Sequence, residues 1–421
     1  MNKLVAKYII KSKTPNAKDN YLWYAMGSGF YALSTLIMTI VVSRTVGEQI
    51  GGMFAIGLSL AQIFMTIVGY EVRIYQVTDV NNEFSFGQYF TFRVLMCILG
   101  VVASVGYSLI NNYSLLKMQI VVLLCVYKII EAFSDVFEGE FQKNDRIDIS
   151  GKSMFFRTVF SVVGLVLGLV ITKKIVLSLT IMITAEIVCV LFFNLMPTQE
   201  FTKVRWIPDI KSIVKLLVIC GPLALSSFLN NYIINCSKIA IDNTMSDEFQ
   251  LYYSAVFMPN MVINLFSGII FKPMQVTMAI SYDRREYKKF GHVIFRMIGI
   301  IAGFTLICVA GASILGIPVL SLLYGVDLTP YKKVLLMLLM AGGLNAINVI
   351  LYYILTIMRK QNLIAIIYLL VAAVSLLFVE NITRTHGLTG AALSYVILVA
   401  MVMLLLTICI LRLVKKWRET E

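Results

Sequence analysis

The chain is 421 residues long, 59% of them hydrophobic and only 14% charged, with a formal net charge of +13. A soluble domain carries about 25% charged and roughly 45–50% apolar residues, so lipid must be the solvent for most of this chain. The basic excess sits in short gaps between apolar runs, which is where cytoplasmic loops of membrane proteins carry it, and not on a nucleic-acid-binding face.

The first 20 residues are mostly polar, with Leu4, Tyr8 and Ile9 set opposite Lys3, Lys7 and Lys11, as in a helix lying in the membrane interface. The first long apolar run lacks a small-residue cleavage site, so no cleavable signal is expected. A membrane-spanning helix needs about 20 mostly apolar residues. Twelve such runs follow: 21–43, 50–70, 87–110, 115–138, 153–172, 175–195, 212–236, 249–272, 291–316, 334–358, 361–380 and 387–412. With the N-terminus inside, alternate loops sum to 21 Lys and Arg on the inner side against 7 on the outer. That threefold bias places both termini in the cytoplasm of a multi-pass plasma-membrane protein. Even the longest loop, 273–290, has no room for a folded extracytoplasmic catalytic domain.

Landmarks repeat in order at an offset of roughly 200: Ala32-Leu33-Ser34 with Ala224-Leu225-Ser226, Phe54-Ala55 with Ser254-Ala255, and Phe92-Arg93 with Phe295-Arg296. Six spans per half is even, so both halves share one orientation and should be related by a pseudo-two-fold axis along the membrane normal, with the substrate path between them. The expected fold is therefore all-α: a polytopic membrane protein of 12 transmembrane helices in two six-helix lobes. The lobes are 21–196 and 212–412, joined by a linker at 197–211 and followed by a cytoplasmic tail at 413–421. Trp206 and the basic residues of the linker suit an interfacial helix.

Enzyme chemistry is not expected. Gly151-Lys152-Ser153 resembles the end of a phosphate-binding loop, but Arg146 stands where that loop needs glycine. His292 and His386 are the only histidines and lie in separate segments, so neither a metal site nor a Ser-His-Asp site can be assembled, and no cofactor is implied. Cys97, Cys125, Cys189, Cys220, Cys236, Cys308 and Cys409 all fall in apolar runs and read as inert thiols.

The informative residues are polar groups inside the spans. In the fourth span Lys128, Glu131, Asp135, Glu138 and Gln142 step by three or four and share one helix face. A charge at the bilayer centre costs about 2.5–3.5 kcal/mol on insertion scales, so it faces protein or a wet cavity. Lys128 and Glu131 either line an inward-opening cavity or satisfy one another between packed helices. Arg93 and Arg157 either face that cavity or snorkel to the interface. Glu186 in the sixth span has no visible partner and is either protonated or paired across helices. The seventh span carries Ser227, Asn231, Asn235 and Lys238, and Gly221-Pro222 should bend it. The eighth adds Pro259, Asn260, Asn264 and Ser267, and the second adds Ser59, Gln62, Thr66 and Tyr70. Such stripes either glue helices together or line a hydrated cavity for sugar hydroxyls.

Several segments resemble the polysaccharide-export branch of the multidrug/oligosaccharidyl-lipid/polysaccharide flippase superfamily, the Wzx-type O-antigen transporters. They are Phe137-Glu138-Gly139-Glu140-Phe141-Gln142, Tyr252-Tyr253-Ser254-Ala255, Leu323-Tyr324-Gly325 and Gly387-Leu388-Thr389-Gly390-Ala391-Ala392. The resemblance implies two six-helix lobes around a central cavity. It also implies flipping of undecaprenyl-diphosphate-linked oligosaccharide from the inner to the outer leaflet by alternating access, for surface polysaccharide synthesis. Its partners would be the lipid-linked oligosaccharide, membrane lipids, and a polymerase and chain-length regulator of the same pathway; no nucleic acid is implied, and the chain would act as a monomer. The substrate-binding residues would be Arg93, Lys128, Glu131, Asn231, Asn235 and Lys238, with Glu131 or Glu186 coupling an ion and with hinges at Pro222 and Pro259. Two alternatives stand beside this: an ion-coupled exporter of organic cations, and a scaffold for glycan assembly that transports nothing. The exporter branch commonly places a carboxylate in its first span, where residues 21–43 have none.

Overall fold

The computed structural model of the chain describes residues 17–79, 81–260, 262–264, 266–267, 274, 278, 280–282 and 284–419. The amphipathic stretch expected before residue 17 lies outside them. The described residues form helices and connections with no strand. In chain order these are α1 (Ala17–Val46), α2 (Glu48–Gly69), α3 (Val72–Thr78), α4 (Phe86–Ile110), α5 (Leu115–Lys143), α6 (Ile147–Thr172) and α7 (Ile175–Val190). Then come α8 (Ile210–Thr244), α9 (Asp247–Phe257), α10 (Tyr287–Gly311), α11 (Ile317–Tyr324), α12 (Lys332–Ile357) and α13 (Gln361–Glu419).

Nine helices among the described residues are long and apolar enough to cross a membrane. The charged α5 is a further expected span. The merged helix α13 holds the last two, broken only at Gly387, whose φ of 57° and ψ of −142° are not helical. The eighth expected span, 249–272, begins within α9, and its residues 261, 265 and 268–272 lie outside the described ones. The expected join at Lys173-Lys174 is where α6 stops, with Lys173 in the left-handed region at φ 53°.

Two helices carry a widened π turn, at Leu191–Leu195 and Ala312–Gly316. Each turn ends two residues before a proline, Pro197 or Pro318. Proline lacks the N–H and its ring crowds the carbonyl four residues back, and a π turn is the local adjustment that accommodates this without breaking the helix.

The chain divides into two compact units, Met1–Phe228 and Leu229–Glu421. The division falls within α8 and not in the 197–211 segment. Its physical cause is that the start of α8 is pinned to the first unit. Gln88 donates to Ser212 at 2.6 Å and to Asp209 at 3.3 Å, Tyr70 donates to the Leu217 carbonyl at 3.2 Å, and Lys215 pairs with Glu83. Residues 203–209 are irregular, not the expected interfacial helix. Ile207 precedes Pro208, which disfavours helical backbone, and its N–H is taken by the Thr91 hydroxyl at 2.8 Å. The turn before α4 is organised by Asp79, which accepts from the backbone of Glu83 and Phe84 and from the Tyr89 hydroxyl. Burial opposes the Asp79 charge, but these bonds outweigh it and hold the carboxyl below its usual range.

Without a hydrophobic drive between helices in lipid, close approach at small residues does the packing. In the first unit α1 and α6 cross at Gly27 and Gly151. A Cβ on Gly151 would stand 2.4 Å from the backbone carbon of Trp23, and one on Gly27 would stand 2.6 Å from the Gly151 oxygen. Backbone cannot step aside as a side chain can. Gly151→Ala is therefore expected to destabilise the unit by about 1–3 kcal/mol, seen as a lower melting temperature of the detergent-solubilised protein. Gly29→Ala on the same helix meets nothing within 4 Å and should melt as the parent does. Equal melting of the two variants would contradict the crossing.

Candidate functional site

Helix α5 carries the charged face read from its spacing, and the structure supplies the partners. Lys128 is 3% exposed; its Nζ lies 2.8 Å from Glu131 Oε2 and donates to the Tyr31 hydroxyl of α1 at 3.1 Å. Tyr31 donates in turn to Glu131 at 3.0 Å, and the ammonium sits 4.6 Å above the Tyr31 ring. This is the mutually satisfied pair, the second of the two arrangements open to these residues.

Arg93 on α4 is fully buried. Its Nη1 donates to the Val68 carbonyl at 2.8 Å and its Nη2 lies 3.4 Å from Asp135. It does not snorkel. Its counterpart Arg296 is exposed, so the repeat of Phe-Arg in sequence is not a repeat of environment.

From Arg93 the charges alternate along a continuous chain. Asp135 also takes Arg73 of α3 at 2.7 Å; Arg73 reaches Glu138 at 3.1 Å; Glu138 meets Arg157 of α6 at 3.3 Å; Arg157 meets Glu186 of α7 at 3.0 Å. Glu186 has the partner the sequence did not reveal, and also accepts from Ser161 at 2.5 Å. Counting the Lys128–Glu131 pair, four cations (Arg73, Arg93, Lys128, Arg157) face four carboxylates (Glu131, Asp135, Glu138, Glu186). The charge of these eight groups is balanced within the first unit. Asp135 and Glu138 therefore do not reach for headgroups but hold arginines from neighbouring helices.

The second unit is built differently. The helix α8 runs eight residues past the apolar run that announced it, so Lys238 and Asp242 lie inside a helix and not in a loop. Lys238 Nζ donates to Asn235 Oδ1 at 3.2 Å and stands 4.5 Å over the Phe257 ring. Asn235 is 5% exposed and donates to the Asn231 carbonyl at 3.0 Å. Among the described residues no carboxylate pairs with Lys238. An amide chain lies in the same unit: Asn264 donates to Asn260 at 3.1 Å, and Asn345 of α12 donates to Asn264 at 3.3 Å. A Cβ on Gly342 would fall 2.1 Å from Asn260 Oδ1, so glycine there makes space for that amide.

Most hydroxyls of the expected stripes bond to their own helix, as Ser59 does to Ala55, Thr66 to Gln62, Ser226 to Pro222 and Ser267 to Ile263. They neither glue helices nor offer free groups. Pro222 lies inside the continuous α8, whereas α9 ends at Phe257, two residues before Pro259. No group of residues that could hold a metal ion occurs among the described residues.

No known family profile and no curated protein sequence matches the chain. Its fold is nevertheless similar to that of solved transporters over nearly its whole length. The lipid II flippase MurJ in an inward closed conformation aligns with TM-score 0.70 and 13% identity, over 92% of this chain and 87% of that one. An inward-facing multidrug resistance MATE family transporter of the MOP superfamily aligns with TM-score 0.63 and 13% identity, over 93% and 95%. A MOP superfamily transporter from Pyrococcus furiosus, described as having a binding pocket of reverse polarity, aligns with TM-score 0.55 and 14% identity, over 93% and 92%. The chain thus has the all-α, two-lobed membrane fold of MOP-superfamily transporters. Within that fold, flippases for lipid-linked substrates and multidrug exporters are both represented among the similar structures.

Proposed function

We propose that the chain is a flippase that carries an oligosaccharide linked to polyprenyl diphosphate from the inner to the outer leaflet, exposing the bound headgroup alternately to the two sides. The observation that carries this reading is Lys238: a cation held inside α8 by an amide and an aromatic ring, with no carboxylate among the described residues to neutralise it. Such a group has an unused charge to offer an anion, and Asn231 and Asn235 stand within two turns of it on the same helix. In the first unit Arg93 and Lys128 already spend their charge on Asp135, Glu131 and Tyr31. We therefore place headgroup recognition on Lys238, with Arg93, Lys128 and Glu131 as the supports of the first unit. Glu131 or Glu186 would couple an ion by taking up a proton when its contact with Lys128 or Arg157 opens. The product would pass to a polymerase and chain-length regulator.

The exporter of organic cations is the competing reading, since it shares the fold. It is disfavoured because Glu131, Asp135 and Glu138 of α5 and Glu186 of α7 are each opposed by Arg or Lys, leaving none of these four for a cationic drug. The test is reconstitution in vesicles loaded with fluorescent oligosaccharide on polyprenyl diphosphate. The purified protein should make inner-leaflet glycan accessible to an external glycosidase faster than protein-free vesicles do. No acceleration, with export of a cationic dye instead, would hand the assignment to the exporter; neither activity would leave the scaffold.

A further inference from the structure

A second feature of Leu229–Glu421 has nothing to do with Lys238. The helices α10, α12 and α13 enclose a groove of about 570 Å³, within the range of about 300–1,000 Å³ usual for ligand pockets. Its walls include Phe290, Ile294, Leu351, Ile354, Met403 and Ile410. The only hydroxyl in the lining, that of Thr407, is spent on the Met403 carbonyl of its own helix at 2.7 Å. The groove therefore has nothing to offer a sugar, an amide or a charge, and suits a hydrocarbon chain.

What lies at one end of it decides which chain. All three helices carry basic residues on the side that the loop charge bias assigns to the cytoplasm: Lys288 in the first turn of α10, Arg359 and Lys360 just past α12, and Arg412 on α13. All four are exposed, and none makes an ion pair with a described carboxylate, whereas the adjacent Lys289 is held by Glu286 at 3.0 Å. Arg359 is turned out by a left-handed backbone, φ 56°, that stops α12. Basic groups capping an apolar slot between membrane helices on the cytoplasmic side match an anionic lipid headgroup.

We propose that this groove is a binding site for an anionic phospholipid of the inner leaflet, with one acyl chain between α10, α12 and α13 and the phosphate on Lys288, Arg359, Lys360 and Arg412. Around the slot the exposed amide of Asn362 is outnumbered by four exposed cations, which favours a phosphate headgroup over a glycan, so the occupant is a lipid without a glycan.

The experiment uses the full chain in nanodiscs of phosphatidylcholine, with and without phosphatidylglycerol, and counts retained lipid by native mass spectrometry. Phosphatidylglycerol should be retained in preference and should raise the melting temperature. The triple change Arg359→Gln, Lys360→Gln and Arg412→Gln should weaken its retention roughly fivefold per charge removed, with melting in pure phosphatidylcholine unchanged. Gly291→Leu tests the groove separately: Gly291 lines it, and a Cβ there meets nothing within 4 Å, so the new side chain fills the slot without touching the rim. It too should lower retention. Equal retention of both lipids by the parent, or undiminished phosphatidylglycerol in the two variants, would overturn the proposal. Displacement of phosphatidylglycerol by an equimolar polyprenyl phosphate would overturn it as well, giving the groove to the substrate tail.

Discussion

Replacing Lys238 with Ala is expected to cut delivery of glycan to the cell surface by about tenfold or more while the protein remains in the membrane at its normal level. The magnitude follows from the bond removed: a hydrogen bond to a charged group contributes about 1.5–3 kcal/mol, roughly ten- to a hundredfold in binding. The unchanged protein level follows from the surroundings. The Lys238 ammonium touches an amide oxygen and a ring face, so its loss leaves no buried anion stranded. Lys238→Arg should keep most of the export, since it keeps the charge. Lys238→Met should fail like Ala although it keeps the apolar stem over Phe257, which separates charge from packing. Full export by the Ala variant, measured as surface glycan per unit of membrane protein, would remove Lys238 from headgroup recognition. The same experiment on Lys128 would not be informative, because Lys128→Ala strands Glu131, 5% exposed, and lowers the amount of folded protein first.

The contrast between these lysines also marks where sequence reading reaches its limit. Apolar runs were legible because lipid demands them, and the shared face of Lys128, Glu131, Asp135 and Glu138 was legible because helical spacing fixes a face. Spacing does not say which helix stands opposite. Arg157 and Glu186 come from consecutive spans, yet nothing in either run marks them as partners. Arg73 was hidden in a segment that counts as loop charge, although it proves to be the clamp between Asp135 and Glu138. Tyr31 was one aromatic among many. Lys238 fell outside its apolar run because a helix does not end where its hydrophobicity does; α8 continues through Ser237, Lys238 and Asp242 to Thr244. Helical spacing nevertheless kept it in view: Asn231, Asn235 and Lys238 step by four and three, so the period carried past the apolar run puts all three on one face.

Arg157→Met is expected to be among the most damaging single changes in the first unit, lowering its stability by about 3–5 kcal/mol, the range for breaking a buried ion pair from one side. Glu138 and Glu186 are 2% and 1% exposed, and Arg157 stands between them at 3.3 and 3.0 Å. Without it Glu138 keeps Arg73, but Glu186 keeps only the Ser161 hydroxyl, so the stranded charge is at Glu186. That identifies the compensating change. Adding Glu186→Gln removes the stranded charge, preserves the shape and leaves an oxygen for Ser161, and should recover most of the stability. Glu138→Gln in the Arg157→Met background should recover less, because it takes from Arg73 a partner that is still in use. The measurement is the fraction of monodisperse protein surviving a heat step, for each single variant and both doubles. Recovery by Glu186→Gln beyond the sum of the single effects shows the two residues to be coupled. Strict additivity, or a single Arg157→Met as stable as the parent, would break the alternating chain at its inner end and leave Glu186 free to serve as an isolated proton carrier.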